Sequence, residues 1–104
     1  FIHNYDPCCY LFLSQAIDWF DLSDGYADME DAFSDLKIES AKTIGVNTDF
    51  LWPPHQQKEI ADCFEKAGVK SELQLIDSIQ GHDSFLVDYD RFCPAVAEYM
   101  DNIE

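Results

Sequence analysis

Two residues in the middle of this sequence have the types and placement for nucleophilic catalysis. Asp49 follows the apolar run Ile44-Gly45-Val46, and His82 follows Leu73-Gln74-Leu75-Ile76, with a helix-patterned segment between them. A carboxylate set against an imidazole fixes the ring's tautomer through one N–H and stabilises the imidazolium formed when the other nitrogen takes a proton. Histidine suits the base role because its unperturbed pKa, about 6.5, lies near working pH. From periodicity alone each residue has an ordinary alternative. An aspartate after a strand commonly caps a turn or helix, and a histidine in a Gly-His loop is commonly only loop. The order strand, acid, helix, strand, histidine would nevertheless bring both side chains to the carboxyl-terminal edge of a parallel sheet, where open α/β sheets build their sites.

The elements that must position the pair follow from local pattern. Residues 42–48 read as a short strand, with Gly45 where backbone or ligand comes close and Lys42 expected at the strand's edge or end, because a lysine is a poor residue for a buried strand. Trp52-Pro53-Pro54 imposes an extended approach to a helix over Pro54–Ala67, in which Ile60, Cys63, Phe64 and Ala67 recur at i, i+3, i+4, i+7. Asp62 and Lys66 are spaced to pair outside it, and Gly68 ends it as a left-handed cap. Glu72–Ile76 is the second strand, and a strand-helix-strand unit of this length predicts a crossover between parallel strands. A last helix over 90–103 is expected to bury Phe92, Val96, Tyr99, Met100 and Ile103, with Pro94 in its first turn. Two parallel strands need neighbours on both faces and edges, so they do not make a whole sheet.

Ahead of this unit, Asp6-Pro7 is an N-cap and first-turn pair that opens a helix apolar almost all round, from Cys9 through Phe20. Eight acids between Asp18 and Glu39 face Lys37 alone. No glycine stands where a calcium loop opening on an aspartate would need it, so the stretch reads as a solvated connector with a short helix near 28–36. Cys8, Cys9, Cys63 and Cys93 show no zinc or redox spacing and are expected to be free thiols in a reducing compartment. No metal site is expected. His55, at a helix start, and His3, near the amino end, read as surface residues.

Composition narrows the partners. With 21 acidic against 6 basic residues the 104-residue chain carries a net charge of −15, which disfavours nucleic acid and anionic membranes. The longest apolar run, Cys8–Leu13, is far short of the ~20 residues that span a bilayer, and no signal peptide is visible, so a cytoplasmic protein is expected. The sequence opens without methionine, as expected of a piece of a longer polypeptide.

The wording around the pair is more specific than its pattern. Residues 44–61, from Ile44-Gly45-Val46-Asn47-Thr48-Asp49 through Trp52-Pro53-Pro54-His55 to Ala61, and residues 77–87, containing Gln80-Gly81-His82-Asp83, closely resemble the carboxyl-terminal part of the homoserine O-acetyltransferase family. Weaker resemblance extends to Tyr10–Asp18, like the family's helix returning from its lid, and to Arg91–Val96. The resemblance implies the carboxyl-terminal part of an α/β-hydrolase fold, with residues 1–27 as lid-exit helix and acidic connector and 28–104 as part of the core. It implies Asp49 as relay acid, His82 as relay base, and Asp83 facing the amino group of an amino-acid acceptor.

The implied reaction is O-acylation of homoserine or serine in methionine or cysteine biosynthesis. Acetyl-CoA or succinyl-CoA would be co-substrate, no cofactor would be bound, and the complete enzyme would commonly be a homodimer. The family's nucleophile elbow, of Gly-x-Ser-x-Gly type, and its oxyanion donors have no counterpart among these residues, since no two glycines bracket a serine. Ser40 and Lys42 also stand where members usually show an apolar strand preceded by proline. Alternatives are a non-catalytic acidic interaction module and part of a serine hydrolase of the same fold.

Overall fold

The computed structural model describes residues 6–103; the amino-terminal His3 lies outside them. Its centre is one strand-helix-strand unit. β1 (Ser40–Val46) and β2 (Lys70–Ile76) pair in parallel, in register from Ser40 opposite Lys70 to Val46 opposite Ile76. Between them α3 (Pro54–Lys66) lies across both strands. α1 (Pro7–Asp18) and α2 (Met29–Ser34) precede the unit, and α4 (Ser84–Val87) and α5 (Tyr89–Asp101) follow a single 3₁₀ turn at Gly81–Asp83.

Local chemistry sets the boundaries. The Asp6 carboxylate accepts the Cys8 N–H to open α1, and Asp28 accepts the Asp31 N–H to open α2, while Asp31 reaches back to the Ala27 N–H. Part of the acidic run therefore works as helix caps, each satisfying a donor that an open helix end leaves unpaired. Gly68, at φ +82°, ends α3: its N–H donates to the Glu65 carbonyl and the Val69 N–H to the Phe64 carbonyl. That pair of bonds is a Schellman motif, and the left-handed residue it needs is most easily glycine.

Ala32, Phe33, Val46, Ala61, Cys63, Val69, Ile76 and Ala95 form the buried core. Phe33 of α2 meets Phe64 of α3 edge-on, ring centroids 4.8 Å apart, which fixes the short helix against the crossover helix. Gly45 has a packing reason: a Cβ there would stand 3.0 Å from both the Gln57 side chain of α3 and Leu75 of β2.

Several expectations are corrected. β1 begins two residues before the predicted 42–48, and Lys42 is its third residue, with a side chain only 3% exposed. Its ammonium reaches the carboxylate of Glu72, its register partner on β2, at 2.8 Å, so a cross-strand ion pair makes a lysine tolerable there. Lys66 pairs with Glu30 of α2 rather than with Asp62, which is held by Lys58 one turn earlier. Ile60 is exposed, because Ala61 and Cys63 instead face the core.

Pro94 is the sixth residue of α5, beyond its first turn. That helix buries only Ala95: Phe92 and Tyr99 are half-buried, and Val96, Met100 and Ile103 are exposed. The reason is supply, since among the described residues α5 packs mainly on α4, sparsely on β2, and meets β1 through the hydrogen bond between the Tyr99 and Ser40 hydroxyls. α1 buries no residue at all. All four cysteines are free, Cys63 buried and the others exposed. No helix of the described residues is long and apolar enough to cross a membrane.

Phe33→Ala is expected to lower unfolding free energy by about 3–5 kcal/mol in denaturant titration. Glu30→Ala, which removes only an exposed ion pair, should cost no more than about 1 kcal/mol.

Candidate active site

Both strands end on the same edge. β1 stops at Val46, and the Asp49 N–H donates back to the Val46 carbonyl, turning the chain so that the carboxylate points inward. Asp49 is 8% exposed. Its Oδ1 accepts the backbone N–H groups of Leu51 and Trp52, at 2.9 and 3.1 Å, and its Oδ2 lies 2.9 Å from Nδ1 of His82. The turn-capping role and the histidine contact, alternatives on sequence grounds, are filled by one side chain using different oxygens.

Burial pushes the Asp49 carboxyl up, but the hydrogen bonds from His82 and from the Trp52 and Leu51 N–H groups outweigh it and leave it below the usual carboxylate value. At neutral pH it is therefore ionised and can only accept, so Nδ1 of a neutral imidazole must carry the proton. Nε2 then holds the lone pair. A ring so oriented, 27% exposed, is competent as a general base.

The histidine loop is pinned from several sides. The Thr48 hydroxyl donates to the Ser78 carbonyl at 2.5 Å and accepts the Gly81 N–H at 3.1 Å, tying the acid loop to the histidine loop next to the pair itself. Ser78, buried, donates to Asp88 at 2.6 Å, and Asp88 is held by Arg91. These bonds, the Ser78 hydroxyl foremost, keep the Asp88 carboxyl below its ordinary value. Ser84, fully buried, donates to the Gly81 carbonyl at 2.6 Å, and Gly81 itself sits at φ +64°. Sequence reading did not single out Thr48, Ser78, Ser84 or Asp88. Small hydroxyls flanking a Gly-His turn were the available signal, and their partners lie 3 to 33 positions away.

Two aromatic rings flank the imidazole: Trp52 at a centroid distance of 4.3 Å and Phe85 at 5.9 Å. An open cleft of about 330 Å³ lies at the pair, lined by Thr48–Leu51 and Ile79–Asp83. Asp83 is exposed on this rim and does not cap the helix that follows. His55 lies apart, exposed in the first turn of α3 and lining a separate cleft against α2.

A parallel strand-helix-strand unit carrying an acid-held histidine at its carboxyl edge defines this chain as a segment of an α/β-hydrolase fold. The structure of homoserine O-acetyltransferase from Bacillus anthracis superposes with a TM-score of 0.71, at 27% identity, over 81% of this chain and 22% of that one. In sequence the chain is 45% identical to a serine O-succinyltransferase from Stenotrophomonas maltophilia over 97% of its own length. It is 43% identical to one from Xylella fastidiosa strain M12 over 99%. No protein-family model matches it. The chain is homologous to a segment of the homoserine O-acetyltransferase family, and it spans 28% of the length of these curated relatives.

Because the native Asp49 value is depressed, its stabilising contribution is complete above the unfolded value near pH 4 and is lost as pH falls through the native one. Asp49→Asn should therefore flatten the acid side of a stability-versus-pH curve below about pH 4. Thr48→Val, nearly isosteric, should cost about 0.5–1.5 kcal/mol by removing the hydroxyl that bridges the two loops, whereas Thr48→Ser should cost less.

Proposed function

We infer that this chain is the portion of an acyl-CoA-dependent O-acyltransferase that supplies the relay acid and base. The observation that carries this reading is the 2.9 Å contact between Asp49 and His82, inside a segment 45% identical to serine O-succinyltransferases. A serine from the remainder of the protein would attack the thioester as His82 Nε2 takes its proton. That proton would leave with the CoA thiol, giving an acyl-enzyme. His82 would next accept the proton of the amino acid's side-chain hydroxyl as that oxygen attacks the acyl carbonyl, and return it to the departing serine oxygen. Asp49 orients the ring throughout and balances its charge.

Asp83, on the rim of the same cleft, would in this reading face the acceptor's ammonium, where a fixed anion offsets the desolvation of a bound cation. The names of the sequence relatives favour serine as acceptor and succinyl-CoA as donor; the structural neighbour's name is the argument for homoserine and an acetyl group. Residues 1–27 form the lid-exit helix and connector in this reading, 28–104 belong to the core, and the complete enzyme works in the cytoplasm as a homodimer. A non-catalytic interaction module fits less well, because it gives the 2.9 Å contact between Asp49 and His82 no use.

The test is thiol release from succinyl-CoA and acetyl-CoA, with L-serine or L-homoserine, by the complete gene product carrying this chain. His82→Ala should lose at least about a hundredfold in kcat, the lower end of what a positioned base contributes. His55→Ala should stay within about twofold, as a surface change does. Wild-type turnover by His82→Ala ends the reading.

A further inference from the structure

The relay as described uses one face of the imidazole for nothing, yet the indole of Trp52 stands there at 4.3 Å, the two planes inclined at 57°. Its placement is not that of a core residue, since Trp52 is 51% exposed. It is nonetheless held on all sides of its backbone. The Trp52 N–H donates to Asp49 Oδ1, the Trp52 carbonyl accepts from the Gln57 side chain at 3.4 Å, and Pro53, extended at φ −67° and ψ 159°, follows directly. A residue before proline is biased toward extended backbone, so the Asp49 bond and the proline together restrict the main chain from which the indole projects. One carboxylate therefore holds the imidazole through one oxygen and the Trp52 main chain, from which the indole projects, through the other.

We propose that Trp52 is a positioning residue for His82, holding the ring plane and favouring the imidazolium that forms when Nε2 takes a proton. The attraction is that of a cation for the electron-rich face of an aromatic ring, strongest for indole and effective within about 6 Å of the ring centroid. Phe85, edge-on at 5.9 Å, bounds the ring as a second aromatic neighbour. The charged residues lining the cleft around the imidazole are Asp49 and Asp83, both anionic types, so no cation among them supplants the indole. In the acyl transfer read above, on which the kinetic half of this proposal rests, His82 is charged in each transition state, and a group that favours the charged ring acts on kcat.

The kinetic test compares Trp52→Leu with Trp52→Phe in the complete gene product. Leucine keeps the apolar bulk without a π face and should lower kcat roughly three- to tenfold, with KM for both substrates within about twofold. Phenylalanine should restore most of the loss. Equal losses in both variants, an effect confined to KM, or no loss would each overturn the proposal. A second measurement needs no activity. A histidine ring in contact with an indole quenches its emission, so the part of the emission owed to Trp52, taken as the difference between a chain carrying Trp52 and its Trp52→Phe counterpart, should be larger in the His82→Gln background than in the wild type. A Trp52 component indifferent to His82 shows that the two rings do not meet in solution and overturns the proposal. Absence of acyl transfer in the wild type would sink only the functional reading, because the emission still decides the contact.

Discussion

The Asp49 carboxylate, with both oxygens occupied, is the interaction on which the rest of the site depends. Two backbone N–H groups on Oδ1 close the turn that leads β1 into α3, and the imidazole on Oδ2 ties that turn to the loop after β2. An acceptor serving three donors is ionised more readily than a free carboxyl, and an ionised acceptor settles which ring nitrogen bears hydrogen. Geometry, protonation state and tautomer thus follow from one side chain. Removing it would free the loop and the ring together.

Around this contact lies a set of short polar bonds that keep two loops in one place. Thr48 spans them directly, Ser84 holds Gly81 from below, and the Ser78–Asp88–Arg91 chain anchors the far end of the histidine loop to the start of α5. Among the described residues no buried side-chain polar atom lacks a partner. Buried networks that are fully satisfied add rigidity, which is what a base must have if it is to meet a substrate proton at a fixed distance.

The apolar surface tells a complementary story about scale. A two-stranded parallel sheet leaves two edges without strand partners, and α1 and α5 carry apolar side chains that find little to pack on among the described residues. Such faces ordinarily lie against further layers of a larger body. Homology to longer acyltransferases, of which the chain spans 28%, supplies a body of the right kind.

Sequence by itself determined the strand-helix-strand order, the helix cap at Asp6, the Gly68 stop, and two residues at strand ends able to act as acid and base, because each of these is written in residues within a few positions of one another. Its family wording also pointed to the fold. What it misjudged depended on distant partners: Lys42 is buried because Glu72 stands opposite it in register, Lys66 turns to Glu30, and the last helix stays uncovered for want of neighbours. Only the tertiary structure decided that Asp49 and His82 touch, that Thr48 bridges their loops, and that an indole stands beside the imidazole. The physical reason is that such contacts join residues up to 33 positions apart, and the register of two strands, which no local pattern encodes, sets the distance between them.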